Sequence, residues 1–478
     1  MGHVQVLWGA AGMVVLLLIA FALSTDRRAI RPRTVLGALV LQLVFAFVVL
    51  RWDAGKAALS AVSSGVQRVI DSSKEGIDFL LGPVMPTNGA TVVAFQVLPI
   101  IVFVASLTAV LYHWNVLQWV VRIVGGGLRK VLGTTRAESL NATANIFLGQ
   151  TEAPLVVRPY LAGMTRSEFF AVMVGGLSTV AGSVMVGYAL LGASLDHLIA
   201  ASFMAAPAGL MMAKIIVPET ESTTGEAEQA ATGSADGRRG VLAWFAKKPA
   251  AGTGAEPAAD TGGTSSADAT ADTTGTDAEP ERTATDTAEP EKAGTATAVD
   301  DDEALETKPR NVIDAAATGA SDGLKLALNV GAMLFAFVSL IALLNLVLGA
   351  VGGLVGLGDI TFEQIIGYVF APVMWVIGVP WQDAVAAGGF VGQKLVLNEF
   401  VAFTDFGPQA ASFSPHTAII ITFALTGFAN FSSLAILLGG LGGLVPSRRP
   451  LIAEFGMRAI AGGTLANLMS AAIAGMLV

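Results

Sequence analysis

Long apolar runs follow one another through most of this chain. A helix needs about 20 apolar residues to cross the hydrocarbon core of a bilayer, where every backbone polar group must be satisfied inside the segment. Eight stretches are near that length and predict membrane helices: Val4–Ser24, Thr34–Leu50, Val92–His113, Phe169–Leu191, Leu198–Val217, Leu324–Ala350, Thr417–Leu441 and Leu451–Val478. The chain is 53% hydrophobic and only 14% charged, against about 25% charged in soluble domains. Val4–Ser24 is read as a retained helix: no basic stretch precedes it, its run exceeds a signal-peptide core, and a second run follows closely. The expected class is an all-α polytopic membrane protein.

Two further stretches are apolar but broken by polar groups: Ser139–Tyr160, with GQTEAP inside it, and Gln382–Phe403, with GQKLVLNEF. A central charge on a lipid-facing helix costs roughly 2.5–3.5 kcal/mol on insertion scales. Irregular backbone at membrane depth is tolerated only inside protein or beside a water-filled cavity. Both stretches are therefore expected to be re-entrant hairpins. Basic residues concentrate on the cytoplasmic side of membrane proteins. Arg27, Arg28, Arg31 and Arg33 place the first loop inside, hence both termini outside. With two re-entrant hairpins, Arg122, Arg129, Lys130, Arg136, Arg158, Arg166, Arg448 and Arg449 also fall inside. The order hairpin, helix, helix occurs at Ser139–Val217 and again at Gln382–Val478, with opposite openings. Such inverted repeats with interrupted helices characterise secondary transporters. Ala54–Gly82 and Trp114–Leu132 have the helical amphipathic spacing of interfacial helices, outside and inside respectively.

The net charge of −9 is unevenly spread. Pro218–Arg310 holds 20 acidic and 8 basic residues, and the rest of the chain 17 and 20. Rich in Ala, Thr, Gly, Asp, Glu and Pro, this segment lacks the apolar area to offset chain entropy. It is expected to be a disordered cytoplasmic loop, in which Val241–Lys248 (VLAWFAKK) is an isolated apolar patch. The expected division is 1–138 scaffold and interfacial helices, 139–217 first repeat, 218–310 loop, 311–381 scaffold helix and interfacial segment, and 382–478 second repeat.

Gln150, Thr151 and Glu152 form the densest polar cluster at membrane depth, punctuated by Gly149 and Pro154. An intramembrane carboxylate marks a functional site by default, although the same groups could merely tie the hairpin tip. Asn398 and Glu399 take the corresponding place in the second hairpin. Glu399 could accept two hydroxyls of a polyol such as a ribose, or pair with Lys394. In FANFSS, Asn430 and Ser433 share a helix face and Phe428 could pack on a flat base; Asn and Ser also serve as interhelical glue. GGLSTVAGS (Gly175–Ser183) permits local unwinding. With Asn145, the Leu148 carbonyl, Thr179 and the Val180 carbonyl, it offers the uncharged oxygens that sodium requires. A small-residue packing face accounts for it equally.

Cysteine is absent and the four histidines have no metal-binding spacing, which removes thiolate chemistry and disfavours a histidine metal site. No Walker motif, no GxSxG in a strand–turn–helix context and no basic, aromatic-interleaved run is present. These absences argue against ATP-driven transport, hydrolase chemistry and nucleic-acid binding.

At these motifs the chain resembles the concentrative nucleoside transporter family. The matching text is GQTEAPLVVRPYL, MTRSEFFAVMVGGLSTVAGSVMVGYA, ASFMAAPAGLMMAK, NVIDAAATGASDGLKLALNVGAM, GQKLVLNEFVAF, FALTGFANFSS and AGGTLANLMSAAIAG, in the family's order. The resemblance implies a sodium- or proton-coupled nucleoside symporter of the plasma (inner) membrane. It implies a homotrimer with eight membrane helices and two opposed hairpins per protomer, and an elevator mode of alternating access. Carried over by motif, Gln150, Thr151 and Glu152 would face the base, Glu399, Asn430 and Ser433 the ribose, and Val184 and Phe428 would line the pocket. Asn145 and Thr179, with the Leu148, Thr179 and Val180 carbonyls, would hold sodium as the coupling ion; no other cofactor is implied. Thr179 stands where many sodium-coupled bacterial relatives carry serine, and the acidic loop is far longer than the family requires. Purine against pyrimidine preference and sodium against proton coupling stay open. A transporter of another polar solute on the same repeat is the alternative. A polytopic enzyme is a third reading, but the sequence offers it neither nucleophile nor metal site beside Glu152 or Glu399.

Overall fold

The structure, a computed structural model, describes residues 2–84, 92–221, 309–355 and 360–478. Chain contacts separate Met1–Glu228 with Pro309–Val478, which holds every described residue, from Gln229–Lys308. Among the described residues every regular element is helical. The first part runs α1 (Gly2–Ala22), α2 (Pro32–Leu50), α3 (Asp53–Leu81), α4 (Leu98–His113) and α5 (Val116–Leu132). Then follow α6 (Arg136–Ala144), α7 (Ala153–Val156), α8 (Arg158–Leu161), α9 (Arg166–Ser178), α10 (Gly182–Leu190) and α11 (Leu195–Ile216). The C-terminal part has α12 (Val312–Val355), α13 (Phe362–Val376), α14 (Trp381–Val396), α15 (Glu399–Gln409), α16 (Pro415–Leu425), α17 (Phe431–Leu444) and α18 (Arg449–Leu477).

Seven described helical stretches are long and apolar enough to span a bilayer: Gln5–Ala22, Pro32–Leu50, Val93–His113, Arg166–Leu190, Leu195–Ile216, Val312–Leu354 and Pro446–Leu477. The eighth predicted stretch, Thr417–Leu441, is not one continuous helix. It divides into α16 and α17, of 11 and 14 residues, each shorter than the ~20 residues a crossing requires. The division has local causes. Gly427 takes a positive φ of 156°, and the Asn430 side chain accepts the Ser433 amide to cap a new helix, a role for which Asn is among the best residues. Phe169–Leu191 is likewise interrupted, because Thr179 is extended (φ −113°, ψ 172°) between α9 and α10.

The order amphipathic helix, interrupted hairpin, interrupted helix, long helix occurs twice: α5, α6–α8, α9–α10, α11, and then α13, α14–α15, α16–α17, α18. Thr135 with Glu138 and Thr165 with Glu168 start α6 and α9 as capping boxes. The second hairpin reaches Gln409, six residues past the predicted end, while α13 meets α14 at a 117° bend. The stretches Ala54–Gly82 and Trp114–Leu132 form the helices α3 and α5, with Asn115 in the left-handed region separating α5 from α4.

The core lies around α9, α11 and α18, which pack on one another; 94% of the apolar window of α11 is buried and none of that of α12. Helix α12 instead runs along α4, where a Cβ at Gly319 or Gly323 would come within 2.6 and 2.7 Å of Ala109 and Ala105. Its 44 residues extend roughly 66 Å, starting twelve residues before the predicted span. Lys214 on α11 pairs with Glu138 on α6 and donates to Ser167 Oγ at 2.9 Å.

The ends of the predicted acidic loop are placed. Glu219 accepts from Thr165 Oγ1 (2.9 Å) and Lys214 (3.4 Å), and Glu221 from the Arg166 amide (3.3 Å). Residues 222–308, with the Val241–Lys248 patch, lie outside the described residues.

Candidate functional site

The two hairpins are linked through side chains at the break between α16 and α17. In the first, α6 ends at Ala144 and the chain turns through 145–152 before α7. Gln150 is buried there, and its Nε2 donates to Ser433 Oγ on α17 at 3.3 Å. In the second, α14 stops at Val396, and Asn398 restarts the helix by accepting the Val401 amide at 2.9 Å. Glu399 is thereby the first residue of α15. It is 5% exposed, so both carboxylate oxygens need donors. Tyr188 Oη donates to Oε1 at 2.9 Å and Asn430 Nδ2 to Oε2 at 2.8 Å. Asn430 does two jobs, since its Oδ1 accepts the Ser433 amide at 2.8 Å. A continuous polar path therefore runs Gln150, Ser433, Asn430, Glu399, Tyr188, linking positions 283 residues apart in sequence. Lys394 does not serve as the carboxylate's hydrogen-bond partner: its ammonium donates to Ala424 O and Asn467 Oδ1.

The other predicted residues are distributed around this path. Thr151 and Glu152 are exposed at the hairpin tip, and the Glu152 carboxylate turns back to accept the Gly149 amide at 3.2 Å. Thr151 lies over Gly440 of α17, where an added Cβ would come within 2.8 Å of its methyl. Val184 is buried on α10, one turn before Tyr188. Phe428 is half-buried, and its amide donates to Thr179 O at 3.1 Å.

Asn145 and Thr179 come together across Gly175. A Cβ at Gly175 would lie 3.3 Å from Asn145 Nδ2, and Thr179 Oγ1 donates to Gly175 O at 2.9 Å. The Gly182 amide donates to Phe147 O at 3.1 Å, closing the helix break onto the hairpin. Asn145 and Val180 are fully buried, with Leu148 and Thr179 nearly so. Asn145 Oδ1 is buried without a protein partner, as is Gln150 Oε1. A buried acceptor left unmet costs about 1–3 kcal/mol, so each of these two atoms has acceptor capacity to offer a group from outside the protein. The Thr179 carbonyl, although bonded to Phe428, keeps a second lone pair.

Sequence reasoning does not single out Tyr188. Its ring stacks on Phe403 at 4.4 Å and meets Phe400 edge-on at 5.5 Å. In an apolar helix it reads as core. The available signal is that a buried tyrosine hydroxyl requires a partner, and Glu399 is the acceptor without an assigned donor.

The arrangement offers a buried, fixed carboxylate beside amide and hydroxyl groups, joined to a tip that carries a second carboxylate. It suits a neutral ligand with adjacent hydroxyls and a heterocycle. The Na+ dependent nucleoside transporter N-terminus and C-terminus models match residues 11–84 and 278–475, and a nucleoside recognition (Gate) model matches 94–195. The chain is 48% identical over 474 residues to the uncharacterized transporter YutK of Bacillus subtilis, covering 99% of this chain and all of that one. It is 39% identical to the nucleoside permease NupC of Helicobacter pylori, over 99% and 98% of the two chains. It is 32% identical to the human sodium/nucleoside cotransporter 1, over 98% of this chain and 63% of that protein. Among solved structures, CNTnw in an inward-facing substrate-bound state superposes with a TM-score of 0.79 at 43% identity, covering 99% and 98%. A doubly substituted CNTnw in an outward-facing state gives 0.81 at 42% identity, covering 100% and 99%. On this agreement in sequence, fold and motif, the chain belongs to the concentrative nucleoside transporter family.

Proposed function

We propose that the path from Gln150 to Glu399 is the nucleoside site of a cation-driven symporter, with Glu399, Asn430 and Ser433 on the ribose and Gln150, Thr151 and Glu152 toward the base. Val184 and Phe428 line the pocket. The observation that carries this reading is the pair of donors, Tyr188 and Asn430, that holds a buried carboxylate on the path joining both hairpins. Each oxygen retains a lone pair for a sugar hydroxyl. Sodium is placed at Asn145 and Thr179 with the Leu148, Thr179 and Val180 carbonyls, supported by the orphan Asn145 Oδ1.

The chain is a multi-pass membrane protein, placed by this reading in the plasma (inner) membrane. Its termini face outward and the 218–310 loop faces the cytoplasm, in keeping with the basic residues that border the spans. The two hairpins are re-entrant from opposite sides, and the protomers form a trimer. Residues 139–217 and 382–478 form the moving domain. The long α12 and its partner α4 form scaffold. One sodium crossing ~100 mV supplies about 2.3 kcal/mol, which sustains roughly 50-fold accumulation. Occupied polar groups let the loaded domain move past the scaffold, while a half-filled site leaves unmet polar atoms that hold it back.

Uridine uptake into vesicles, with and without an inward sodium gradient, tests this reading. Uptake driven by sodium supports it; equal uptake in both, with dependence on a proton gradient, moves the coupling to protons. Thr179→Val keeps the branched shape and removes the hydroxyl. It should raise the sodium concentration for half-maximal uptake about tenfold, the loss of one oxygen ligand at about 1.4 kcal/mol. Unchanged sodium dependence would remove Thr179 from the ion site.

A further inference from the structure

We propose that Asn467, held in place by Lys394, is the positioning residue that couples the sodium and nucleoside sites. The inference rests on the site assignments above and adds the element between them. Asn467 lies on α18 and is buried. Its Nδ2 donates to Ser178 O at 2.6 Å and to Thr426 O at 2.7 Å. Its Oδ1 accepts from Lys394 Nζ at 2.8 Å, and Lys394 donates also to Ala424 O at 2.8 Å.

Those carbonyls belong to the C-terminal ends of the two interrupted helices. Ser178 is the last residue of α9 and immediately precedes Thr179. Ala424 lies in the last turn of α16, and Thr426 follows it two residues before Phe428. Helix C-termini carry orphan carbonyls and the negative end of the dipole. Normally each end is satisfied separately. Here one amide group serves both ends, and one ammonium, fully buried beside it, offsets the charge of α16. A second bond runs in parallel, from the Phe428 amide to Thr179 O at 3.1 Å. The ion-site backbone and the nucleoside-site backbone therefore share donors. Space is equally shared, because a Cβ at Gly427 would overlap the Asn467 amide.

Coupling follows from this geometry. Ordering the Ser178–Val180 segment around an ion fixes Ser178 O, which fixes the Asn467 amide, which fixes Thr426 and the Phe428–Asn430 segment where Glu399 is held. Without the ion, the second segment loses one of its restraints. A ligand that finds its site already ordered binds more tightly, and by linkage each ligand raises the other's affinity by one and the same factor.

The test measures uridine affinity of the purified full-length protein in sodium and in choline. In the unaltered chain sodium should raise the affinity by a factor in the range of about 5–150. Asn467→Asp retains the acceptor for Lys394 but presents no donor to Ser178 and Thr426. In that variant the sodium enhancement should fall below about twofold while affinity in choline changes less than about threefold, and uridine's effect on sodium affinity should fall equally. An enhancement equal to that of the unaltered chain would overturn the coupling role alone. Absence of any sodium enhancement in the unaltered chain would overturn the sodium assignment and this proposal with it. Failure of uridine to bind in either buffer would overturn the nucleoside assignment and this proposal together. A second measurement needs no substitution. Sodium alone should slow hydrogen exchange at the Phe428 amide in the unaltered protein, and protection confined to residues 145–182 would overturn the proposal even if the variant does not fold.

Discussion

Replacing Glu399 by glutamine should abolish uridine binding while leaving the protein folded. The carboxylate oxygens each accept one protein hydrogen bond and, on the proposed reading, one ribose hydroxyl. Hydrogen bonds to a charged group contribute about 1.5–3 kcal/mol each. The amide introduced by Glu399→Gln supplies only one acceptor oxygen, and its NH2 faces either the Tyr188 hydroxyl or the Asn430 amide. Losing two charge-assisted bonds to the sugar corresponds to a fall in affinity on the order of 100-fold or more. The Tyr188 hydroxyl can rotate to accept from the new NH2, so α10 and α15 stay joined. Isothermal titration with uridine, beside a thermal melt of the same sample, measures both quantities. Retained affinity in a folded variant would remove Glu399 from the ribose and favour a different polar solute.

Gly427→Ala should be the most damaging single methyl in the second repeat. Gly427 has φ 156°, in a region that L side chains rarely adopt, and its Cβ would overlap the Asn467 amide that joins the two helix breaks. Backbone strain of this kind costs on the order of 1–3 kcal/mol, and the steric overlap adds a comparable amount. Thermal stability in detergent should fall by on the order of 2–5 kcal/mol equivalent, with sodium-dependent uridine uptake lost. Gly439→Ala is the control. No atom lies within 4 Å of a Cβ there, and Gly439 sits inside α17, where alanine gains roughly 0.5–1 kcal/mol over glycine. Equal behaviour of the two variants would refute the argument from Gly427.

Particular residues show how far the sequence can be read. The spans are legible because bilayer thickness converts directly into run length, and Pro32–Leu50, Val93–His113 and Leu195–Ile216 lie close to the predicted runs. The interruption near residue 430 is legible from GFANFSS (427–433), since Gly427 and the capping Asn430 are local signals. The restart at Asn398 follows the same rule. Helix α12 is longer than its apolar run because its first turns, DAAATGASDG, are polar enough to fall below an apolar threshold, yet their small residues pack on α4. Lys394 illustrates the opposite failure. Five residues from Glu399, it reads in the sequence as an ion-pair partner. Its actual partners are at positions 424 and 467, because the end of α16 leaves the Ala424 carbonyl without an intrahelical donor, the Asn467 side-chain oxygen beside it also needs one, and no spacing rule encodes that need.

Run length and local breakers are enough to read the class: membrane helices, two polar interruptions, and candidate oxygen ligands grouped at those interruptions. These follow from local physics, in which run length, caps and breakers act over a few residues. The connections between distant polar groups come from packing alone. Tyr188 meets Glu399 across 211 residues, Gln150 meets Ser433 across 283, and Asn467 meets Ser178 across 289. Each pairing satisfies a buried polar atom whose partner could have been any suitable group, and packing alone selects which one arrives.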